Sequence, residues 1–317
     1  MPALLFLLGT PPGMAQAAPT RLTVLTANDQ LASTEFIQQL RDTQAPGGSF
    51  DVVRIPAAGR AAAAPAAQEA VANAGVRTRG LRGAAALTVA VGPEAARSAI
   101  EGEGREPLLL AMLSQIEYES LKASPALHRS DRRVGVLLRD PSMADQLALV
   151  DAVLPQRRRL GVVATAESEP LLRELERAAG KAWSLQVATA PDTKSIAAAL
   201  RGVLPNSDAL MVLPDSIGDD QAATLAVLRA AAGAGVPVFG ASEGMVRSGG
   251  LAAAVSTPAQ LAQQAHAMGL KLAAGPAGVL VESARPATVR VNGNVARGLG
   301  LRLPDERELT ERVTATR

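Results

Sequence analysis

Arg159-Leu160-Gly161-Val162-Val163-Ala164-Thr165 decides the fold. This unbroken apolar run ends in a small polar residue and reads as a strand covered on both faces, the kind that parallel sheets use. A helix is predicted on either side, over Ser142 to Leu154 and over Glu169 to Gly180. Downstream the alternation continues, with strand Ser184–Ala188, helix Thr193–Leu204, strand Ala209–Leu213, helix Ala222–Ala232 and strand Val236–Phe239 closed by Gly240. Upstream, Arg133–Leu138 is a strand, and before it lies a complete earlier set. That set comprises strand Arg21–Thr26, helix Ser33–Gln44, strand Phe50–Ile55, an Ala-rich helix within 57–79, strand Ala84–Val91, helix Ala95–Ile100 and strand Pro107–Leu113. Strands alternating with helices imply parallel sheets with right-handed crossovers. Two consecutive sets imply an α/β protein of two Rossmann-like lobes, with the first chain crossing near Leu138–Pro141 and the carboxyl ends of both sheets facing one cleft.

Composition narrows the chemistry. The chain has 317 residues, enough for two domains, and 48% are apolar, but only 2% are aromatic. Cores of Ala, Val and Leu suit helices packed closely on sheets. With 32 basic and 30 acidic residues the formal charge is +2, and the scarcity of stacking aromatics argues against nucleic acid. The run Arg157-Arg158-Arg159 reads as a solvated loop. The absence of Cys removes disulfides, thiolate nucleophiles, Cys-based zinc sites and a lipid-modified N-terminal Cys. The two histidines, His128 and His266, lack metal-ligand spacing, and no cofactor is expected.

The N-terminus has the parts of an export signal. Residues 3–9 form a short apolar core, Thr10-Pro11-Pro12-Gly13 breaks it, and Ala15-Gln16-Ala17 is a small-x-small cleavage site, although no basic residue precedes the core. The alternative for these residues is a buried strand. Nothing else is apolar for the roughly 18 residues a membrane span needs, so a periplasmic protein with no membrane insertion after cleavage is expected.

In the last third the residues resemble a known family. Asp208-Ala209-Leu210-Met211-Val212-Leu213-Pro214-Asp215-Ser216, Gly235-Val236-Pro237-Val238-Phe239-Gly240, Val246–Ala253 and Val291–Pro304 occur in the order found in the ABC-transporter substrate-binding family with a type I periplasmic-binding fold. Gln146–Pro155 with Arg159–Val163, and Val91-Gly92-Pro93-Glu94-Ala95-Ala96, fit as well. The resemblance covers roughly residues 85–310. It implies a hinged clamshell that binds a small-molecule solute without catalysis and docks on an ABC permease, and some relatives are similar to receptors for amino acids, aromatic ones included. It also implies that Leu251–Ser256 returns to the first lobe and that a further crossing lies near Ala277–Arg285. The expected division is therefore 1–17 as signal, 18–138 with 251–280 as the first lobe, and 139–250 with 281–317 as the second. Two departures stand out: Pro93 occupies a position where the family usually has a hydroxyl residue, and few aromatics are available to stack on a ligand.

Candidate binding residues follow from the strand ends. They are Asn28, Glu94, Ser114, Thr165, Asp215, Ser216, Ser242 and Glu243. An amino-acid ligand needs donors for its carboxylate, which Ser114, Asn28 or backbone amides supply, and an acid for its ammonium, which Asp215 or Glu243 supplies. The other reading of each residue is a helix N-cap or a solvated loop. Gly92-Pro93-Glu94 can open a helix whose free N–H groups favour an anion, and Glu94 partly offsets that preference. Gly240-Ala241-Ser242-Glu243-Gly244 matches the nucleophile elbow of hydrolases, but no Asp separates Ser242 from His266, and 28 glycines make a chance match unsurprising. Tyr118 and Trp183 read as packing residues. Beside a solute receptor stands a second reading, in which the same clamshell serves as a sensory or envelope-assembly subunit with ligand binding lost or altered.

Overall fold

The computed structural model describes residues 21–27, 30–44, 46–56, 86–192, 194–240, 242–285 and 288–315. The expected export signal, the Ala-rich helix expected within 57–79 and Asn28 lie outside these residues. The chain begins with β1 (Arg21–Thr26), α1 (Leu31–Asp42), β2 (Ser49–Arg54), β3 (Ala86–Val91), α2 (Pro93–Glu101), β4 (Leu108–Leu113), α3 (Gln115–Lys122) and β5 (Arg133–Pro141). A second series follows: α4 (Met143–Val153), β6 (Arg159–Ala164), α5 (Glu169–Ala179), β7 (Ser184–Thr189), α6 (Ile196–Val203), β8 (Ala209–Met211), α7 (Ser216–Asp219), α8 (Gln221–Gly233), β9 (Val238–Gly240), α9 (Glu243–Arg247) and β10 (Ala252–Val255). The chain ends with α10 (Pro258–Ala274), β11 (Gly278–Ala284), β12 (Thr288–Val291), α11 (Gly293–Gly298) and α12 (Glu306–Ala315).

The strands form two six-stranded sheets, in the orders β11-β5-β4-β3-β1-β2 and β12-β10-β9-β8-β6-β7. The first is parallel throughout, and in the second only β12 runs antiparallel, against β10. Because side chains alternate across a strand, each sheet feeds two cores. Val24, Val89 and Leu109 meet Phe36 of α1 and Met268 of α10, while Leu25, Ala90 and Leu110 meet Ile100 of α2 and Tyr118 of α3. In the second lobe Leu160 and Val162 pack under α4, α5 and α12, and Val163 and Leu210 under α6 and α8. Full burial of each Val, Leu, Ile, Phe or Met side chain among them contributes roughly 1.5–3 kcal/mol. Small residues let the layers close up: a Cβ at Gly161 would strike Val203 and Ser207 at the end of α6.

Sheet membership corrects two expectations. Leu251–Ser256 does not return to the first lobe, because β10 pairs with β9 and β12 and its alanines are buried in the second lobe's cores. The boundary at 280/281 falls inside β11, which pairs along its whole length with β5 in the first sheet. The chain thus passes between sheets at Pro141–Ser142, at Ser256–Thr257 and after Ala284. Among the described residues no helix is long and apolar enough to cross a membrane.

Candidate functional site

The carboxyl ends of the two sheets meet. Arg139, near the end of β5, donates from Nη2 to Oδ2 of Asp219, which follows β8 in the other lobe, at 3.1 Å. Ile116 of α3 packs against the second lobe's core. The candidate site is the region between these strand ends.

In the first lobe, the end of β4 is bent. Its ladder with β5 shifts register between Ala111 and Leu113, and the residue between them, Met112, has φ of +60°, a conformation uncommon for a non-glycine residue. The shift delivers Ser114 to the head of α3 as its N-cap. Ser114 Oγ accepts from the Glu117 N–H at 3.2 Å, and Glu117 Oε2 accepts from the Ser114 N–H at 2.7 Å. Ser114 is buried, and this reciprocal pair commits its hydroxyl to the helix. At the end of β3, Gly92 has φ of +85° and its N–H donates to the Ala111 carbonyl at 3.0 Å, so the turn needs glycine. Glu94 lies half-buried in the first turn of α2.

In the second lobe, Thr165 follows β6 and bonds the Ser168 hydroxyl through both its N–H and its Oγ1, each at 2.9 Å. Ser168 Oγ donates to Asp215 Oδ2 at 2.5 Å, and Asp215 Oδ1 accepts from the N–H groups of Ile217 at 2.9 Å and Gly218 at 3.1 Å. Burial pushes the Asp215 carboxyl above the ordinary range, against the pull of those three donors. Both of its oxygens are therefore occupied within the lobe. Ser216 is exposed, and its N–H donates to Glu167 Oε1 at 3.1 Å. Ser242 caps α9 by accepting from the Met245 N–H at 3.1 Å, and the exposed Glu243 pairs with Arg247 at 3.0 Å and Arg290 at 3.9 Å. Ser242 also sits in the lobe opposite α10, which carries His266, so the elbow motif opens a helix and acquires no base from that residue.

The structure thus gathers Thr165, Asp215 and Ser216 through Ser168 and Glu167, and leaves Ser242 and Glu243 with partners of their own. It adds residues that the sequence reading passed over. Arg139 approaches Glu117 at 3.8 Å and Asp140 at 3.5 Å within the first lobe, besides Asp219 across the cleft. Asp140 Oδ2 is shielded from solvent without a hydrogen-bond partner. Burial, with the charges of Asp219 and Glu117 adding to it and Arg139 opposing, pushes this carboxyl up to about 6. Arg139-Asp140 closes an apolar strand, so the rule that located the other candidates applied here as well.

Tyr118 is buried in the first lobe's core. Trp183 packs at the edge of the second lobe's core with the Arg158 guanidinium over its ring at 5.2 Å. Its indole lines a groove of about 580 Å³ between α4 and α12, together with Leu147, Asp151 and Val313. The three arginines at 157–159 are gathered by Asp208, which takes Arg159 Nη2 at 2.8 Å, Arg157 Nη1 at 3.3 Å and the N–H groups of Arg158 and Arg159.

Comparison with known proteins identifies the architecture. The family described as ABC transporter substrate binding protein matches residues 87–311. Among solved structures, the ligand-free, open form of a substrate-binding protein with adhesive properties from Clostridium difficile superposes with a TM-score of 0.67 at 17% identity, covering 90% of this chain and 96% of its own. A conserved domain protein from Vibrio cholerae gives 0.56 at 20% identity, with 93% and 98% covered. An ABC domain from Streptococcus pneumonia, solved in complex with L-Trp, gives 0.55 at 17% identity, with 92% and 98% covered. No curated protein matches. Two parallel-dominated sheets flanked by helices are the type I periplasmic-binding fold, and with the family matched over most of its length the chain belongs to the ABC transporter substrate binding proteins.

Proposed function

We propose that this chain is the solute-receptor subunit of an ABC-type importer, exported to the periplasm, where it closes on a small polar solute and hands it to a permease. Binding makes and breaks no covalent bond. The observation that carries the reading is the meeting of the two sheets' carboxyl ends, joined by Arg139 and Asp219, in a chain matched to this family over residues 87–311. Solved relatives of this fold include one described in complex with L-Trp, which makes amino acids the first class to test. In such a complex Asp140 replaces Asp215 and Glu243 as the acid facing a ligand ammonium, since the latter two are engaged within the second lobe. The backbone amides of Glu94 and Ala95 in the first turn of α2, and the exposed Ser216 and Ser242, supply donors for a carboxylate.

The test is a thermal-shift screen of the purified chain against amino acids, small amines, carboxylates and oligopeptides. A ligand at about 100 times its Kd adds roughly 2.7 kcal/mol by mass action, which raises the Tm by several degrees for a protein of this size. A shift confined to one class, weakened by Asp140→Asn, supports the receptor. No shift from a well-folded sample favours the second reading, a clamshell that contacts another protein. Pro93 in place of a hydroxyl, and polar side chains consumed as helix caps, are the observations behind that alternative.

A further inference from the structure

The geometry points to Arg139 as an inter-lobe latch, a positioning residue that favours the lobe arrangement seen here by pairing with Asp219 across the cleft. This rests on the clamshell reading above, but not on the identity of any solute. Arg139 extends from the end of β5 in the first lobe, 28% exposed, with Glu117 on α3 and Asp140 beside it on its own side. Its Nη2 donates across the gap to Asp219 Oδ2 at 3.1 Å.

Both ends of the bridge are anchored in the cleft walls. On the first lobe, Glu117 also accepts from the Ser114 N–H, so the guanidinium is coupled to the cap that seats α3 behind the bent end of β4. On the second, Asp219 closes α7, its N–H bonded to the Asp215 carbonyl, and Asp215 in turn is fixed by Ser168 beside Thr165. A charge-assisted contact between two such supports is made only when the lobes sit at this separation, and a hinge motion breaks it without disturbing either core. The pair is partly solvated, with Asp219 62% exposed. Its influence is therefore modest, a population ratio shifted about two- to fivefold, as for an exposed ion pair.

A double-mutant cycle on the full chain tests this without a ligand. The protein has no Cys, so Glu35→Cys on α1 and Arg229→Cys on α8, both exposed, accept one spin label per lobe. In the parent the inter-lobe distance distribution contains a population at the separation of this structure. Asp219→Asn and Arg139→Gln each lower that population about two- to fivefold relative to longer distances, and the double variant matches either single one. Asp219→Lys lowers it further. Near-unity ratios in both single variants overturn the latch, as does a double variant whose effect is the product of the two. Asp219→Asn alters only an exposed side chain, so it keeps the test meaningful even if Arg139→Gln fails to fold. Absence of any solute shift in the thermal screen leaves these distances unaffected, so the two readings fail separately.

Discussion

Asp140 and Asp208 respond to burial and to neighbours with opposite signs, which makes them separable by pH. The Asp140 carboxyl, pushed up to about 6 by burial, keeps its proton in the folded state to a higher pH than in the unfolded chain. Its contribution is therefore full below the ordinary carboxylate range and is lost as pH rises from about 4 through 6. Asp140→Asn removes that penalty, so it stabilises the fold by about 1–3 kcal/mol at pH 8 and by little at about pH 3.5, below the unfolded-state value. Urea unfolding at the two pH values reads the difference, and an equal effect at both contradicts it. Asp208 is the mirror case. Its hydrogen bond with Arg159 leads the causes that hold its carboxyl well below the usual range, so its stabilisation is present above that range and fades as pH falls through it. Asp208→Asn costs about 1–3 kcal/mol at pH 7, the scale of hydrogen bonds to a charged group, and the loss disappears in acid. The same residue scale shows why the site was only partly legible in the sequence. The strand-end rule found Ser114, Asp215 and Ser242, but the residue that ends a strand in a βα unit is also the residue that must cap the next helix. A Ser or Asp there serves the backbone first, as the contacts of all three show. Ser114 and Glu117, three apart, were a readable capping box, and the Arg139-Asp140 pair was readable by the same rule.

At the scale of elements, what legibility the fold had came from period and punctuation. Buried parallel strands such as β6 announce themselves as apolar runs, and after β4, β5, β8 and β9 a polar residue past the strand end, Ser114, Ser142, Asp215 or Ser242, caps the next helix. β10 escaped correct placement for a physical reason. Ala252–Val255 is short and nearly all alanine, so it fits against either sheet, and its partner is chosen by the neighbours it meets, Phe239 and Gly240 on one side and Thr288–Val291 on the other. The antiparallel direction of β12 left no local mark either, since a four-residue strand reads alike in both directions. Close packing of helix on strand is a sharper property, and Gly161 tests it. A methyl group there meets Val203, whose branched side chain has little freedom to yield, and the Ser207 hydroxyl bonded to the Val203 carbonyl. Gly161→Ala is predicted to cost about 1–3 kcal/mol through overpacking, and Gly161→Val more. Unfolding midpoints in urea check this, and a neutral Gly161→Ala would show that α6 slides away from β6 freely.

For the whole molecule, the mechanical question is how three crossings bend together. Two are tied directly, since the Ser256 hydroxyl donates to the Arg285 carbonyl. Gln264 of α10 then clips the third to the first lobe: its Nε2 donates to the Ser283 carbonyl at 2.9 Å, and its Oε1 accepts from the Arg285 N–H at 3.0 Å. One amide side chain thus satisfies a donor and an acceptor on the segment where the chain leaves β11, and on the hinged reading proposed above it is predicted to fix where bending begins. Residues up to Ala284 belong to the first sheet, to which β11 is hydrogen-bonded, and Thr288–Val291 to the second through β12. Gln264→Ala removes both bonds and a longer one to Glu282 Oε2 at 3.4 Å while leaving the apolar face of α10 in place, for a loss of about 1–4 kcal/mol at roughly 0.5–1.5 kcal/mol per bond. Its distinctive effect is local. Amide exchange at Arg285 should accelerate by more than the global destabilisation accounts for, because the opening that exposes this N–H no longer requires unfolding of the lobe. Gln264→Glu keeps the acceptor for Arg285 but loses the donor and places a second carboxylate beside Glu282, which Gln264 approaches at 3.4 Å. It should therefore protect the Arg285 amide better than alanine does while destabilising the protein at neutral pH. Exchange at Arg285 that merely tracks global stability in both variants would mean that the backbone, and not Gln264, sets the hinge point.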